Sequence, residues 1–471
     1  MHEQHSVPNI SDGALAGPSY RRDLGSGLVL RWSTAADAAA IAALLGLVWR
    51  NHADDPLNPR VMEAAHRHMS GRFPLTGPGD FAVVEDMHAA EHPIVACTSL
   101  WREEWEYAGI PFGIGRPESV ATNPAYRNRG LVRAMFELVH ARSMVEGHLV
   151  QAITGIPHFY RQFGYEYALD LHGRRAVLLA LIPETNTNIP EPYALREAAL
   201  TDVPAMIEIY DRRRAGSLVW NRVSERYWRY QIEKWHDPAL ARLDPTAHGA
   251  NDRIQMIVDA AGVVCGYTIV ATKRWARDLQ VFALELAAGV SWQLVMPPLL
   301  RALRSYGLRL LSVRPEIEAL REISLFLGRD HPAYAVLGQA LAPLHDPPYA
   351  WYLRVADLPA FIRRIAPALE RRLADSAATG YTGALKIDFY RGGLRLVFEQ
   401  GHLALAEPWH APVFGPGADA GCPELLFLQL VFGYRDLDEL RYAFPDIWVS
   451  DTVSMVLRAL FPKAPAWVMA L

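Results

Sequence analysis

The chain has 471 residues, of which 51% are apolar, 21% charged and 10% aromatic. This composition is typical of a soluble protein with more than one hydrophobic core, and it excludes a largely disordered chain. The 47 basic and 51 acidic side chains give a net charge of −4; with no basic excess to bind phosphates, nucleic acid is not expected as a partner.

The cysteines and the termini indicate the compartment. Cys97, Cys265 and Cys422 lie far apart and fit no metal-binding spacing, which favours a reducing compartment and no bound metal. No apolar run is long enough to span a membrane, and the first 27 residues lack the pattern of a secretory signal. We therefore expect a cytoplasmic protein without a membrane partner.

Two breaks divide the chain into three folded pieces. Residues 182–192 are rich in Pro, Asn and Thr and are predicted to form a linker, and Pro343–Pro348 mark a second break. The predicted organisation is a loose tail over 1–27, a first domain over 28–181, the linker over 182–192, a second domain over 193–345 and a third domain over 346–471.

The first two domains begin alike. Each opens on a short apolar strand that contains an arginine, and an aspartate follows that arginine after six residues, as Arg31 with Asp37 and Arg196 with Asp202. In each domain an amphipathic helix and a pair of strands around a turn come next. We interpret this repetition as a tandem duplication.

The third domain has a different pattern. Apolar and polar residues alternate over Leu385–Phe389 and Leu394–Phe398, which predicts a hairpin with one buried face. Helices are predicted over Cys422–Tyr434 and from an N-cap at Ser450 to Phe461. The pattern indicates an α+β accessory domain.

The most informative stretch is Glu118–Leu169. A β-type run at Ser119–Thr122 is followed by a turn and then by the residues R-N-R-G-L-V-R of Arg127–Arg133. An apolar stripe then predicts a helix that ends near Gly147. A basic turn that contains glycine therefore lies between a strand and the N-terminus of a helix.

Such a turn can bind an anion. The N–H groups of a first helical turn have no partner within the helix and lie at the positive end of its dipole. Gly130 has no side chain, so a phosphate can approach the backbone, and Arg127, Arg129 and Arg133 add positive charge. The alternative is a solvated basic turn with no ligand.

The downstream sequence favours the ligand-binding interpretation. A strand over Leu149–Thr154 is followed by Phe159–Tyr165, F-Y-R-Q-F-G-Y. This order of strand, R-x-x-G turn, helix, strand and aromatic segment resembles the acetyl-CoA-binding core of the GNAT acyltransferases. In that superfamily the turn holds the CoA pyrophosphate. The last position of the turn is Val132 rather than Gly or Ala, which is similar to one branch of the superfamily.

That branch is the enhanced-intracellular-survival (Eis) aminoglycoside acetyltransferases, and the resemblance covers nearly the whole chain. It implies a multidomain α/β and α+β fold, with two tandem GNAT domains, each a mixed sheet flanked by helices, before a sterol-carrier-like α+β domain. It implies that the first Tyr of the aromatic motif, Tyr160, is the general acid and that the C-terminal carboxylate of Leu471 is a base or amine anchor. The family's usual closing aromatic residue is replaced by Leu471. A homo-oligomer is also implied.

The resemblance also assigns the cofactor site. Acetyl-CoA is the expected co-substrate, and backbone N–H groups beside Val120 are expected to polarise its thioester carbonyl. The residues expected along the pantetheine and the pyrophosphate are Val120, Ala121, Thr122, Arg127, Asn128, Arg129, Gly130, Leu131, Val132 and Arg133.

A run of aromatic and acidic residues is the candidate acceptor site. Trp101, Glu103, Glu104 and Trp105 would form a wall suited to a cationic amine. The alternative is an exposed edge hairpin whose charges discourage strand pairing. Spacing alone leaves both open.

Three other features of the sequence have a structural or a negative interpretation. Tyr160 alone could be a packed aromatic residue with its hydroxyl at a rim. His66 and His68 lack a third ligand at convincing spacing, so no metal site is expected. The second domain has Ala288–Gln293 where the basic turn would stand, and we predict that it does not bind CoA.

The sequence thus predicts an N-acetyltransferase that acts on a small cationic amine resembling an aminoglycoside or a polyamine, by direct attack. One alternative is a non-catalytic acyl-CoA or lipid-binding protein on the same scaffold. Another is a protein lysine or N-terminal acetyltransferase.

Overall fold

The computed structural model describes residues 11–90, 94–185, 190–238, 252–314, 319–412 and 417–469. These residues divide into two compact units. The first unit takes in the chain up to Glu103 with residues 113–153 and 354–356, and the second takes in residues 104–112, 154–353 and the chain from Asp357 onward.

The first unit is built on a mixed sheet. Its strands run in the order β1-β2-β3-β4-β5-β6; the β1–β2, β2–β3 and β3–β4 pairs are antiparallel and the β5–β6 pair is parallel. The strands that lie wholly or mainly in this unit are β1 (Arg21–Gly25), β2 (Leu28–Trp32), β3 (Phe81–Asp86), β4 (Ile94–Tyr107), β5 (Ile110–Thr122) and β6 (Val150–Ile153). Its helices are α1 (Asp12–Ala16), α2 (Ala38–Val48), α3 (Pro59–Met69) and α4 (Leu131–Val145).

Two hydrophobic cores lie on opposite faces of this sheet. Successive side chains of a strand point to opposite faces, so in β3 Val84 packs with residues of α4 while Val83 packs with residues of α2 and α3. The helices therefore cover both faces, and the loop between β5 and α4 lies at the end of a sheet that is buried on both sides.

The second unit holds two further sheets. Strands β15-β8-β14-β13-β12-β11-β9 form one of them, in which only the β13–β14 pair is parallel. Strands β19-β18-β17-β20-β21 form the other. In addition, β16 pairs with β7, and β10 pairs with residues 104–107 of β4.

The elements of the second unit follow in chain order. Its strands are β7 (Glu166–Leu171), β8 (Arg174–Leu178), β9 (Tyr193–Glu197), β10 (Val219–Arg222), β11 (Asp252–Asp259), β12 (Val264–Ala271), β13 (Asp278–Leu286), β14 (Glu322–Leu325), β15 (Leu344–Asp346), β16 (Tyr349–Arg354), β17 (Gly383–Asp388), β18 (Gly393–Glu399), β19 (His402–Pro408), β20 (Ala420–Gly421) and β21 (Trp448–Val449). Its helices are α5 (Val203–Arg214), α6 (Glu225–Glu233), α7 (Trp292–Leu308), α8 (Pro332–Leu341), α9 (Leu358–Ala374), α10 (Glu424–Val431), α11 (Leu437–Ala443) and α12 (Asp451–Leu460).

The predicted hairpin and helices of the C-terminal region are present. β17 and β18 pair in register from Gly383 with Phe398 to Asp388 with Gly393, and their apolar residues alternate into the core. Ser450 is the N-cap residue of α12. These are mixed α/β folds, as expected, in which sheets are flanked by helices.

The stretch expected to be a loose tail differs from that expectation where it is described. Residues 12–16 form α1, and β1 pairs with β2 through Arg21 and Arg31. The carbonyl oxygen of Ala16 accepts two hydrogen bonds from the Arg142 guanidinium, at 2.8 and 3.0 Å. A segment of low apolar content is thus ordered by backbone pairing and by a distant arginine, which no local pattern predicts.

Candidate functional site

A local distortion ends the regular part of β5. Ser119 has a left-handed backbone with φ of 54°, which is strained for a residue other than glycine. The hydroxyls of Thr98 and Ser99 on β4 both donate to the carbonyl oxygen of Glu118, each at 3.1 Å. Backbone strain of this kind concentrates at functional sites, and here it directly precedes Val120, which the sequence assigned to the thioester.

The three residues after Ser119 differ in exposure. Ala121 is 2% exposed and packs in the core, while Val120 and Thr122 are half-buried. The Thr122 hydroxyl oxygen is buried and has no hydrogen-bond partner within the protein. An orphaned hydroxyl at this point fits a ligand with polar groups, such as the amides of pantetheine.

The turn between β5 and α4 has the geometry of an anion cradle. Asn128 and Gly130 both have left-handed backbones, with φ of 62° and 74°, and Gly130 is the N-cap residue of the 15-residue helix α4. A Cβ placed on Gly130 would meet no atom within 4 Å, so its backbone faces open space. The first N–H groups of α4 are thereby accessible to an anion.

Side chains fix this turn and give it positive charge. Asn123 accepts a hydrogen bond from Ala125 N at 3.0 Å, and the Tyr126 hydroxyl donates to Asp86 of β3. The Arg129 guanidinium lies 4.9 Å from the centre of the Tyr126 ring. The candidate cofactor residues Arg127, Asn128, Arg129, Gly130 and Arg133 are exposed, Val132 is half-buried and Leu131 is buried.

Tyr160 lies in a short 3₁₀ turn, Phe159–Phe163, between two residues with left-handed backbones, His158 and Gly164. It is 3% exposed. A Cβ built on Gly155 would lie 3.8 Å from its hydroxyl oxygen, so the backbone of Gly155 runs past that oxygen. The predicted acid is therefore a largely buried side chain held beside glycine backbone.

Three further tyrosines surround the turn that precedes Tyr160. The Tyr352 hydroxyl donates to the Tyr167 hydroxyl at 2.6 Å, and Tyr167 also lies 2.9 Å from the Tyr349 hydroxyl and accepts from His158 N at 3.0 Å. The Tyr352 ring packs edge-on against Tyr160 at 5.5 Å. This network ties the turn to β7 and β16.

The network also separates the pKa values of its phenols. Burial raises the pKa of Tyr167, but hydrogen bonds from Tyr349 and Tyr352 outweigh burial and leave that pKa below its ordinary value. Burial and the hydrogen bond to Tyr167 raise the pKa of Tyr349 to about 12. Sequence reasoning missed these residues because Tyr349 and Tyr352 are distant from Tyr167 along the chain and follow no motif.

The candidate acceptor residues on β4 differ in burial and in their partners. Trp101 and Glu103 are buried in the first unit, where Glu103 pairs with Arg116 at 2.8 Å and the Arg116 guanidinium lies 5.1 Å from the Trp101 ring centre. In the second unit Trp105 is fully buried, with its ring 5.6 Å from that of another tryptophan, while Glu104 is exposed. Strand alternation explains why Glu104 is exposed, since it points to the opposite face of β4 from Trp101, Glu103 and Trp105.

Arg116 is the cation that pairs with the Glu103 carboxylate. That guanidinium also contacts Glu118 at 2.7 Å, so two carboxylates share one cation. Burial lowers the pKa of Arg116, but Glu118 and Glu103 outweigh it and hold the pKa above its ordinary value. Two carboxylates and one guanidinium have a formal net charge of −1.

Leu471, the candidate base or amine anchor, lies outside the described residues. The chain is described to Met469, whose backbone N–H and carbonyl both hydrogen-bond to the side chain of Asn221 at 3.0 Å. Asn221 was not singled out from the sequence. A polar residue directly after the apolar run Leu218–Trp220 is a pattern that could have indicated it.

The second unit contains a contrasting helix start. α7 begins at Trp292 after Gly289, whose φ is 75°, and Ser291. No arginine or lysine occurs over Ala288–Gln293. Over the described residues, no group of three or more His, Cys, Asp or Glu side chains is arranged to hold a metal ion, and no helix there is both long and apolar enough to cross a membrane.

Comparisons with known proteins agree on the first part of the chain. Residues 30–168 match the family model of the acetyltransferase (GNAT) domain. That match includes the turn before α4 and Tyr160. No curated protein sequence matches the chain.

Several solved structures share the fold over almost the whole chain. A GCN5-related N-acetyltransferase from Kribbella flavida is 17% identical, with a TM-score of 0.59, covering 94% of this chain and 97% of its own. A probable N-acyltransferase from Enterococcus faecalis V583 is 14% identical, with a TM-score of 0.62 and coverage of 94% and 98%. Eis1 from Mycobacterium abscessus is 13% identical, with a TM-score of 0.56 and coverage of 94% and 99%.

At these identities the structures show a common fold and no more. The family model is the more specific finding, and it covers β5, the turn before α4 and Tyr160. Residues 30–168 are therefore an acetyltransferase domain of the GNAT family, and the chain that carries it is an acyltransferase.

Proposed function

We propose that this protein transfers the acetyl group of acetyl-CoA to an amine of a small cationic molecule, of an aminoglycoside-like or polyamine-like kind. The observation that carries the proposal is the turn before α4. There Asn128 and Gly130 have left-handed backbones that leave the first N–H groups of the helix accessible, and arginines supply positive charge. The pyrophosphate would lie on the N–H groups at the start of α4, with Arg127 and Arg129 beside it.

The pantetheine arm would follow the end of β5. Val120, Ala121 and Thr122 would line it, and the orphaned Thr122 hydroxyl would gain a hydrogen-bond partner. Backbone N–H groups beside Val120, next to the distorted Ser119, would stabilise the oxygen of the tetrahedral intermediate. These N–H groups would need no rearrangement during the reaction, because the backbone at Ser119 is already distorted.

The chemistry needs one base and one acid. The amine loses a proton as its nitrogen forms the new bond to the acetyl carbon, and we assign that proton to the carboxylate of Leu471. As the carbon–sulfur bond breaks, Tyr160 gives its hydroxyl proton to the thiolate. No covalent enzyme intermediate is required.

Two properties of Tyr160 support the acid role. It is almost fully buried, and its hydroxyl oxygen lies beside the backbone of Gly155. The tyrosine network fixes the turn that precedes it.

The acceptor side is proposed from charge. The Glu103–Arg116–Glu118 cluster has one net negative charge and lies beside Trp101. An ammonium group near a carboxylate and an aromatic ring is a favourable pairing. Glu104 and Trp105 of the original candidate wall are proposed to act only indirectly, through the strand pairing of β4 with β10.

The remaining assignments follow the resemblance. We propose that residues 193–345 form a degenerate GNAT-like domain that does not bind CoA, and that residues 346–471 form a sterol-carrier-like domain that delivers the C-terminus. A cytoplasmic location and a homo-oligomer belong to the same proposal.

The test is the release of free CoA thiol from acetyl-CoA with a panel of amines that includes an aminoglycoside, spermidine and a lysine peptide. We expect release that depends on a small cationic amine, and its loss in Arg127→Ala at low acetyl-CoA concentration. Release with the lysine peptide alone would favour a protein acetyltransferase. Tight acetyl-CoA binding without release by any amine would favour the non-catalytic binding protein.

A further inference from the structure

The second unit contains a cavity of about 410 Å³. Its wall is formed by β7, the end of α5, the loop after β14, the turn after α10 and residues 463–467. Among the residues that the structure describes, none that is assigned to acetyl-CoA or to the Phe159–Phe163 turn lines this cavity. Small-molecule sites have volumes of about 300–1,000 Å³, so the cavity can hold a small organic molecule.

Arg213, in the last turn of α5, lines the cavity with unused hydrogen-bond donors. Its guanidinium makes no hydrogen bond within the described part of the chain, and its Nε is buried. This Nε lies 3.7 Å from a carboxylate oxygen of Glu285, which is too far for a hydrogen bond but close enough for an ion pair. Glu285 therefore holds the charge of Arg213 in place and leaves its N–H groups for another acceptor. Because a buried N–H without an acceptor costs free energy, the site fits an anionic ligand.

The other two cations of the wall already have carboxylate partners. Arg329 donates to both oxygens of Asp170 at 2.9 and 3.0 Å, and Lys463 pairs with Glu439. Over the described residues, Arg213 is thus the lining cation whose hydrogen-bond donors remain available to a ligand.

The charge of the wall favours a singly charged anion. Three basic and two acidic side chains line the cavity, which gives the wall a formal net charge of +1. A phosphate dianion would meet Asp170 and Asp330 as well as the cations. A single carboxylate can instead accept two parallel N–H bonds from the planar guanidinium. A carboxylate is therefore the group that fits Arg213.

Apolar side chains form another part of the wall. Phe432, Leu169 and Leu327 line the cavity and are nearly fully buried. Trp467 lies against Gly328, where a Cβ would come within 2.5 Å of the tryptophan ring. A ligand with an apolar body would remove its surface from water against these groups.

We propose that this cavity is a binding site for a small monocarboxylate with an apolar body, held by paired hydrogen bonds from Arg213. Phe432 and Trp467 would contact the apolar body of the ligand. The site would bind this ligand whether or not the protein acetylates an amine, so the proposal is separate from the proposed function.

The test is a ligand-observed NMR titration of the intact chain. The probes are benzoate, phenylacetate and octanoate, each compared with its uncharged primary amide. We expect saturable binding of at least one carboxylate, with its amide bound roughly tenfold more weakly because the charge-assisted bonds to Arg213 are lost. Failure of all three carboxylates to saturate, or equal affinities for acid and amide, would overturn the proposal.

The variant Arg213→Met locates the bound carboxylate. It removes the guanidinium and keeps an unbranched side chain, and it should weaken carboxylate binding roughly 10- to 100-fold. The matched control is Arg229→Met, since Arg229 is an exposed arginine of α6 that pairs with Glu225 and does not line the cavity. An unchanged affinity in Arg213→Met, or the same loss in both variants, would contradict the assignment.

A second variant, Arg213→Lys, keeps a positive charge beside Glu285 and serves if Arg213→Met does not fold. Lysine lacks the planar fork, so the affinity for the carboxylate should fall by roughly tenfold. Thermal unfolding measures the same binding, because a ligand that binds the folded state raises the Tm. The rise should be smaller in Arg213→Lys than in the wild type and in Arg229→Met. An equal rise in all three proteins would place the carboxylate elsewhere and overturn the proposal.

Discussion

Residues 28–48 and residues 193–214 begin in the same way in two different parts of the chain. Arg31 donates to both oxygens of Asp37 at 2.7 and 2.8 Å, and Arg196 donates to both oxygens of Asp202 at 2.7 Å. In each case the aspartate also accepts from a backbone N–H three residues earlier, and a helix follows. The same sequence spacing thus produces the same ion-paired corner twice.

The parts of the chain that follow these two regions differ at the start of a later helix, which is α4 after the first region and α7 after the second. α4 is preceded by two left-handed residues, Asn128 and Gly130, and by arginines, whereas α7 is preceded by Gly289 and Ser291 without basic residues. The corner that organises the fold is therefore present in both regions, while the groups that attract an anion occur in one. The residues that form the Arg–Asp ion pair are common to both regions, and the residues proposed to bind the anion are the ones that distinguish them.

The largest difference in kcat is expected between variants of two buried tyrosines. Each follows a strand that pairs in parallel with its neighbour, β6 before Tyr160 and β14 before Tyr334. Tyr160→Phe removes the proposed acid and should lower kcat by roughly 100- to 1000-fold. Tyr334 donates its hydroxyl proton to the carbonyl oxygen of Leu325 at 2.8 Å, so Tyr334→Phe should lower stability by about 1 kcal/mol and leave kcat unchanged. Steady-state rates of thiol release compare the two, and equal kcat values for Tyr160→Phe and the wild type would remove Tyr160 from the chemistry.

Two glycines provide a closely matched comparison. Gly130 and Gly289 have φ of 74° and 75°, and a Cβ at either would meet no atom within 4 Å. Valine therefore strains both backbones alike, but only Gly130→Val places a side chain where the pyrophosphate would lie. We expect the KM for acetyl-CoA to rise roughly 10- to 100-fold in Gly130→Val, because one or two strong hydrogen bonds to the pyrophosphate would be lost. The KM should stay constant in Gly289→Val. The same rise in both variants would assign the effect to strain.

The two ion-paired corners differ in burial and should differ in stability. The Arg31 and Asp37 side chains are 12% and 11% exposed, whereas Arg196 is 41% exposed beside a buried Asp202. Arg31→Met removes a buried cation that pairs with two carboxylates, Asp37 and Glu85, and should lower the free energy of unfolding by about 3 kcal/mol. Arg196→Met should cost about 1 kcal/mol, because solvent screens that pair. Urea denaturation measures both, and equal losses would contradict the role of burial.

The smallest effect is the pH dependence of these corners. Burial raises the pKa of Asp37, but hydrogen bonds from Arg31 and Thr34 outweigh burial and leave the pKa below its ordinary value. The hydrogen bond from Arg196 is the main cause of a lowered pKa for Asp202.

A carboxyl group whose pKa is lowered by folding stabilises the protein at pH values above its unfolded pKa. That stabilisation is lost as the pH falls below about 4 and through the folded pKa. Asp37→Asn and Asp202→Asn should each reduce the acid dependence of the free energy of unfolding. An unchanged slope between about pH 5 and 2 would show that neither pair exists in solution.

Local patterns predicted much of the fold. The Arg–Asp spacing, the hairpin of β17 and β18 and the N-cap at Ser450 were all visible in the sequence, because each depends on residues close together in the chain. The basic turn before α4 was predicted for the same reason. Its left-handed residues, Asn128 and Gly130, match residue types that tolerate this conformation.

The rest of the site depends on contacts between distant residues. Tyr167 meets Tyr349 and Tyr352 only through the pairing of β7 with β16, and Asn221 meets Met469 only through the course of the tail. In the run from Trp101 to Trp105, Glu103 pairs with Arg116, whereas Glu104 pairs with Arg222 of the neighbouring strand β10. No periodicity within one segment contains this information.

The central claim is that acetyl-CoA binds at one helix start and not at the other. Titration calorimetry of the intact chain with acetyl-CoA measures this directly. We predict one molecule bound per chain, with an affinity roughly 10- to 100-fold weaker in Gly130→Val and unchanged in Gly289→Val. Two molecules per chain, or an affinity in Gly130→Val equal to that of the wild type, would contradict the account.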